Sequence, residues 1–338
     1  MVNNQIILSI CIATYNRANY IGHTLESLIP QLNDNVEIII VDGASTDETE
    51  NVIAKYILVE NRIRYYKLDK KGGVDQDYDK ALSFANGSLC WLFTDDDIAK
   101  PNAIQSIISN YIKNKFCLII LNAETRDKEL SNIITERLLN FNENKIYKPI
   151  EFEDLFVETI DYLSFIGCVV IEKSMWFKRN RINYYGTEFI HVGVIFQNLL
   201  PSNCLVISEP LISIRLDNAQ WTSRSFEIWI IKWPKLLNSF SNLRNNSKLK
   251  YSLLPSFRRL RNIFVQRSNH SYNFNLFKKW FWNSNEPIWW KFILFFISIF
   301  PIYFSKKIVK SFLDFKYILI PKGLTKTKQI FKTRNEYK

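Results

Sequence analysis

The chain has 338 residues, enough for one large domain or two of ordinary size. Hydrophobic residues at 47% against 23% charged exclude a disordered chain, and 9 glycines exclude a glycine-rich fibrous one. The net charge of +11 conceals an asymmetry: residues 241–338 hold 20 Lys and Arg against 3 Asp and Glu, so residues 1–240 keep 24 basic against 30 acidic groups. A mildly acidic body with a basic, aromatic tail points to an anionic partner for the tail, either nucleic acid or the headgroups of a membrane leaflet.

Residues 6–13 form a short Ile-rich run that predicts a buried strand. Over 19–32, Ile21, Leu25, Leu28 and Ile29 make a helical stripe. A second strand is predicted over 36–41, ending at Asp42, and a helix over 46–59, capped by Ser45 or Thr46 with Asp47, Glu48 and Glu50 in its first turn. Strand 63–68, helix 74–85, strand 88–93, helix 101–113 with Pro101 in its first turn, and strand 116–121 follow. This alternation predicts βαβ units: a Rossmann-like α/β fold with a mostly parallel sheet and helices on both faces. Ligands of such sheets sit beyond the carboxyl ends of the strands, which brings residues 14–17, 42–47 and 94–97 to one rim. Beyond 126 the pattern is looser: a helix at 152–159, a strand at 163–171, a helix at 187–200, and short strands at 205–207 and 210–214. From about residue 225 the chain reads as helices with Trp and Phe clusters between basic residues. The expected organisation is a catalytic domain over 1–225 and a helical region over 226–338.

Asp95, Asp96 and Asp97 directly follow an apolar strand. Three adjacent carboxylates repel one another unless a cation joins them, and hard oxygen ligands suit Mg²⁺ or Mn²⁺ shared with substrate phosphates. Along an extended segment Asp95 and Asp97 would face the same way. A solvated acidic turn ahead of the next helix is the bland alternative. Asp42 at the second strand's end can accept from a sugar hydroxyl or a base N–H, or simply form an Asx turn. No GxGxxG follows the first strand and no GxxxxGK[ST] occurs, which disfavours nicotinamide and P-loop chemistry. Cys11, Cys90, Cys117, Cys168 and Cys204 form no CxxC pair and sit mostly in apolar runs, as expected of a reducing compartment. The N-terminal apolar run is too short for a signal peptide, so the body is expected to be cytoplasmic.

The constellation is more specific than its parts. Residues 8–17 (LSICIATYNR), 41–47 (VDGASTD) and 91–97 (WLFTDDD) resemble, in order and spacing, glycosyltransferase family 2, the nucleotide-sugar-dependent transferases of GT-A fold. Residues 72–81 (GGVDQDYDKA), leading into 86–91 (NGSLCW), resemble more particularly the abequosyltransferases of O-antigen synthesis. The resemblance implies that Thr14, Tyr15 and Arg17 line the nucleotide pocket, that Asp42 contacts the base, and that Asp75 closes the pocket from the next loop. It further implies that Asp96 approaches the ribose or sugar, while Asp95 and Asp97 form a DxD-type metal site with Asp97 the direct ligand.

An inverting transferase needs a general base near the acceptor. The family's later acidic motif is matched here by Gly186, Thr187 and Glu188, with the second acid missing. Glu188 is the candidate base, and His191, predicted one turn along the same helix face, is either a metal or phosphate ligand or a satisfied structural residue. Abequose-type linkages imply retention of the donor's configuration, under which Glu188 would not be a simple base. The basic loop 215–224 offers Arg215 or Arg224 to the diphosphate.

In the tail, residues 280–304 are intensely aromatic and apolar, but the uninterrupted run 292–300 is shorter than the roughly 20 residues a spanning helix needs. With Lys306, Lys307 and Lys310 next and a polybasic end at 322–338, this predicts a helix lying in the headgroup region of an anionic leaflet. Nucleic-acid binding is disfavoured because no RRM, KH, zinc-finger or helix-turn-helix pattern accompanies the charge. The expectation is a metal-dependent transferase on the cytoplasmic face of the inner membrane. It would carry abequose or another 3,6-dideoxyhexose from a CDP-sugar to mannose of a lipid-linked oligosaccharide. The alternatives are a UDP- or dTDP-sugar donor, or a non-catalytic sugar-binding protein.

Overall fold

The computed structural model describes residues 5–318, and the side chains of 5–311. The predicted polybasic end at 322–338 lies outside the described residues. The β-branched runs become strands β1 (Leu8–Thr14), β2 (Val36–Asp42), β3 (Ile63–Lys67) and β4 (Leu89–Phe93). Between them lie helices α1 (Ile21–Leu28), α2 (Thr49–Ile57) and α3 (Val74–Phe84). There follow β5 (Ile98–Ala99), α4 (Ala103–Asn114), β6 (Leu118–Arg126), β7 (Ile133–Thr135), β8 (Lys145–Tyr147) and α5 (Phe152–Thr159). Then come β9 (Val169–Glu172), α6 (Lys173–Lys178), α7 (Ile190–Phe196) and β10 (Cys204–Arg215).

The strands form one ten-stranded sheet in the order β3-β2-β1-β4-β9-β6-β10-β5, with β7 on β6 and β8 on β10. The predicted parallel arrangement holds from β3 to β4 and between β6 and β10. Between β4 and β6 the sheet is mixed, because β9 is antiparallel to both neighbours. β1, β2 and β4 are wholly buried but for one half-exposed residue, as strands covered on both faces must be. Their register puts Thr14 beside Asp42 and Ile12 beside Phe93, so β1 and β2 end level and β4 ends two residues earlier on the same rim. That shared rim gathers three segments far apart in sequence.

Local chemistry explains where the predicted elements moved. The second helix starts at Thr49, not Thr46, because the Asp47 carboxylate accepts from the Thr49 N–H (3.0 Å) and hydroxyl (2.5 Å). Ser45 and Thr46 instead bond to Asn16 across the rim. The strand predicted over 163–171 begins only at Val169. The preceding residues Ile166–Cys168 form a 3-10 turn whose Gly167 carbonyl accepts from the Trp91 indole at 2.8 Å. The helix predicted over 187–200 shortens to Ile190–Phe196, because Gly186 (φ 81°) and Glu188 (φ 73°) are left-handed and break a helical path. The two short strands predicted after 205 are one strand, β10, with register shifts around Pro210, which has no N–H for the ladder.

After β10 the chain is helical. A π-helical turn, Glu227–Lys232, runs into α8 (Trp233–Ser239), followed by α9 (Asn245–Lys248), α10 (Phe257–Ser268), α11 (Phe274–Trp280), α12 (Ile288–Ile299) and α13 (Ile302–Ile318). Two compact units result: residues 1–218 with 240–247, and residues 219–239 with 248–338. The second has its own core of Phe226, Ile230, Ile263, Tyr272, Phe277, Phe281, Trp290, Leu294 and Ile297, in which Phe226 and Tyr272 stack at 4.4 Å. Much of the tail's aromatic content is therefore a packed interior. Among the described residues no single helix is long and apolar enough to cross a membrane, though α12 and the start of α13 pass that test together across a 108° bend.

Candidate active site

The acidic triplet follows β4 at the shared rim, and each carboxylate has a different surrounding. Asp95 and Asp96 pair with the Arg17 guanidinium, from the loop after β1, at 3.4 and 3.1 Å. Asp96 also accepts from the Asn218 side chain (2.7 Å), and Arg17 donates to the Asn218 carbonyl (3.0 Å). Asp97 accepts from the Thr94 hydroxyl (2.5 Å) and from the Arg215 N–H (2.8 Å), while its carbonyl accepts from Thr24 at 2.9 Å. Pairing of β5 with β10, Ile98 opposite Ser213, fixes that Asp97–Arg215 contact. Asp95 and Asp97 are 8% and 2% exposed.

Burial and mutual repulsion push the triplet's carboxyls up. Desolvation first and then Asp96 raise Asp95 to about 7, the same two causes drive Asp97 well above its ordinary value, and desolvation raises Asp96 against Arg17 and Arg215. Glu37, a buried acid on β2, makes the contrast: burial alone would raise it, yet hydrogen bonds from Ser9, Asn86 and Arg64 bring it below the usual range. Glu37 is a neutralised structural acid. The triplet has more buried negative charge than Arg17 offsets.

That excess bears on the expected metal through donor chemistry. Among the described residues no three His, Cys, Asp or Glu side chains converge as a ready-made metal site. Asp95 and Asp97 offer carboxylate oxygens, the hard donors that Mg²⁺ or Mn²⁺ takes together with phosphate oxygens. His191 does not join them. It is fully buried on α7, its Nε2–H donates to the Leu163 carbonyl at 2.7 Å, and burial lowers its pKa to about 4. The expected placement of His191 on Glu188's helix face fails because Glu188 precedes the helix.

Other sequence-derived residues also take unexpected positions. Asp42 is fully buried; its carboxylate accepts from the Ser45 N–H (2.7 Å) and the Tyr65 hydroxyl (2.7 Å). Arg215 is buried too. Its guanidinium donates to the carbonyls of Asp96 (3.0 Å) and Lys128 (2.6 Å) and lies 3.3 Å from His23 Nδ1, so it braces the triplet's turn instead of standing open for a diphosphate. Thr14 and Tyr15 are at the rim as expected. The Thr14 hydroxyl is buried without a hydrogen bond among the described residues, and the Tyr15 ring lies 3.4 Å beneath the Lys71 ammonium.

Asp75 departs furthest from expectation. It does not close a pocket from a loop: it sits in the first turn of α3, 3% exposed, and reaches the 186–190 segment. Its carboxylate accepts from the Glu188 N–H (2.8 Å) and the Ile190 N–H (2.9 Å), capping α7 from another element. Burial, and next to it the nearby Glu188 charge, keep its pKa at about 6 against those hydrogen bonds. A carboxylate from α3 thus lies against the backbone of Glu188. Asp77, one turn-step further on, was not singled out by sequence. It is 4% exposed, burial raises its pKa to about 6 against the backbone N–H groups of Gly72 and Gly73, and a Cβ at Gly43 or Gly72 would come within 2.8 Å of it. The Gly72-Gly73 pair before three alternating acids was the available signal. A surface cavity of about 580 Å³, lined by Leu139, Phe141, Tyr162 and Phe165 among others, contains none of these site residues.

Comparison with known proteins identifies the family and the fold. The abequosyltransferase RfbV of Salmonella typhimurium is 28% identical over 253 residues, 70% of this chain and 75% of that protein. The glycosyltransferase GlyG of Streptococcus pneumoniae is 28% identical over 126 residues, 37% of this chain and 42% of that one. Among solved structures, S. aureus TarS 1–349 in complex with UDP-GlcNAc superposes with a TM-score of 0.56 at 14% identity, covering 78% of each chain, and so shares the fold. The profile of glycosyl transferase family 2 matches residues 9–178, half of the chain, from β1 past β9 and through the triplet. The chain belongs to glycosyl transferase family 2.

Proposed function

We propose that this glycosyltransferase carries abequose, or a related 3,6-dideoxyhexose, from a CDP-sugar to a mannose hydroxyl of a lipid-linked O-antigen intermediate on the cytoplasmic face of the inner membrane. The observation that carries the donor class is the buried, under-neutralised triplet at the carboxyl-end rim of β1, β2 and β4, beside Arg17. Similarity to an abequosyltransferase over most of both chains supports the sugar and the acceptor.

In the proposed reaction the acceptor oxygen bonds to the sugar's anomeric carbon while the bond from that carbon to the diphosphate breaks. Asp95 and Asp97 would hold Mn²⁺ or Mg²⁺, which neutralises charge growing on the leaving diphosphate. Arg17, fixed by two carboxylates and the Asn218 carbonyl, places a positive charge at the same rim. The 14–17 and 42–47 segments, joined through Asn16, Ser45 and Thr46, form the wall for the nucleoside, and Asp77 is the buried acceptor facing it. With inversion, Glu188 receives the acceptor's hydroxyl proton, its backbone held by Asp75. With retention, Glu188 only orients the acceptor, and the anomer of the product tells the two apart.

Transfer and hydrolysis assayed over CDP-, UDP- and dTDP-sugars, with and without Mn²⁺, test the reading. Mn²⁺-dependent turnover of a CDP-dideoxyhexose is expected. Turnover of a UDP- or dTDP-sugar alone would replace the donor, and binding of every nucleotide sugar without turnover would refute the enzyme.

A further inference from the structure

The second unit presents an apolar stripe that its own core does not cover. On α12, Ile288, Trp289, Phe292, Phe296 and Ile299 are 73, 55, 58, 60 and 49% exposed. At 3.6 residues per turn these five positions fall within an arc of about 100°. Trp290, Leu294 and Ile297, on the opposite arc, are buried in the unit's core. One helix therefore has two apolar faces, one packed and one bare. After the 108° bend at Pro301, α13 exposes Tyr303 and Phe304, and one turn later Lys306, Lys307 and Lys310. The Lys307 ammonium lies 4.5 Å from the Tyr303 ring.

From this geometry we infer that the α12–α13 corner docks in the plane of an anionic phospholipid leaflet, the stripe facing the acyl boundary and the three lysines the headgroups. This deepens the proposed membrane location but needs no sugar transfer to be true. Length excludes the spanning alternative for α12: its 12 residues rise about 18 Å, against a hydrocarbon core of about 30 Å. Packing excludes full insertion, since Trp290, Leu294 and Ile297 would have to leave the core they build. The order of aromatic side chains at the boundary and lysines just outside it fits a headgroup interface with negative charge. A second copy of the chain would bring a second set of the same lysines into the contact, which disfavours self-association there.

Co-sedimentation of the full chain with phosphatidylglycerol-containing and pure phosphatidylcholine vesicles tests the inference, with donor hydrolysis followed in parallel. The wild type should pellet with the anionic vesicles and show Trp289 quenching by brominated lipid. Replacing Lys306, Lys307 and Lys310 by Gln should weaken binding about a hundredfold, at about fivefold per residue. The F292S/F296S variant should lose binding while keeping its melting temperature and donor hydrolysis, because both side chains are exposed. Equal binding to neutral vesicles, unchanged binding in both variants, or a concentration-dependent dimer abolished by F292S/F296S without vesicle binding would each overturn the inference. Loss of donor turnover with vesicle binding intact would refute the enzymatic reading and leave this one standing.

Discussion

Replacing Asp75 by Asn should separate activity from stability. The carboxylate receives two backbone N–H groups, from Glu188 and Ile190, at 2.8 and 2.9 Å. Hydrogen bonds to a charged acceptor contribute about 1.5–3 kcal/mol each. Asn keeps one acceptor oxygen and turns an NH₂ toward the other N–H, so one bond is lost. The left-handed backbone of Glu188, at φ 73°, costs about 1–2 kcal/mol by itself, so the lost bond is as large as the margin holding it. The 186–190 segment should then leave its observed conformation about 10- to 100-fold more often. Stability runs the other way. Burial keeps the Asp75 pKa at about 6 against 3.8, so its ionised form costs about 3 kcal/mol at neutral pH, which Asn removes. The two effects are of similar size, and the melting temperature should hold within a few degrees. Transfer should fall about 10- to 100-fold in kcat with the donor KM unchanged, and the Glu188 and Ile190 amides should exchange hydrogen faster by a like factor. Wild-type kcat together with wild-type amide protection would refute the reasoning. Faster exchange with full activity would leave Asp75 a purely structural cap and remove Glu188 from the chemistry.

The remaining expectations concern the rim. Asp97→Ala should abolish metal-dependent transfer with the fold retained by circular dichroism; activity near wild type would remove Asp97 from the donor site. Arg17→Gln should lower kcat/KM about 10- to 100-fold, since its contacts to Asp95 and Asp96 are charge-assisted, and a twofold change would show that the guanidinium is spectator to the donor. His191→Leu should destabilise by about 1–3 kcal/mol by orphaning the Leu163 carbonyl, yet leave the Mn²⁺ concentration for half-maximal activity unchanged; a shift in that concentration would return His191 to the metal site. Asp77, raised by burial to about 6 from 3.8, binds a proton more tightly folded than unfolded. Its contribution to stability is therefore greatest at low pH and declines as pH rises through about 6. The urea midpoint should fall less between pH 5 and 8 in Asp77→Asn than in wild type, and parallel curves would contradict the assignment.

Apart from the two-residue β5, the order of elements through β6, and the meeting of residues 14–17, 42–47 and 94–97 at one rim, followed from local information alone. Ile-rich runs can only be buried strands, alternation with helices forces parallel crossovers, and a parallel sheet presents all its carboxyl ends together. The acidic triplet was equally plain as a candidate, since three adjacent carboxylates repel one another unless a cation joins them, although a solvated acidic turn reads the same in sequence. Tertiary structure decided what each polar side chain does, because a hydrogen-bond partner distant in sequence leaves no trace in spacing or periodicity. Asp75 meets Glu188 and Ile190 across more than a hundred residues, Arg215 turns inward onto carbonyls, and His191 enters the core because two left-handed residues end the helix on which it was expected to share a face with Glu188. In the tail, composition announced aromatic and basic character, but only packing sorted Trp290 into a core and Phe292 and Phe296 onto the surface, because burial depends on which side of a helix a neighbour covers.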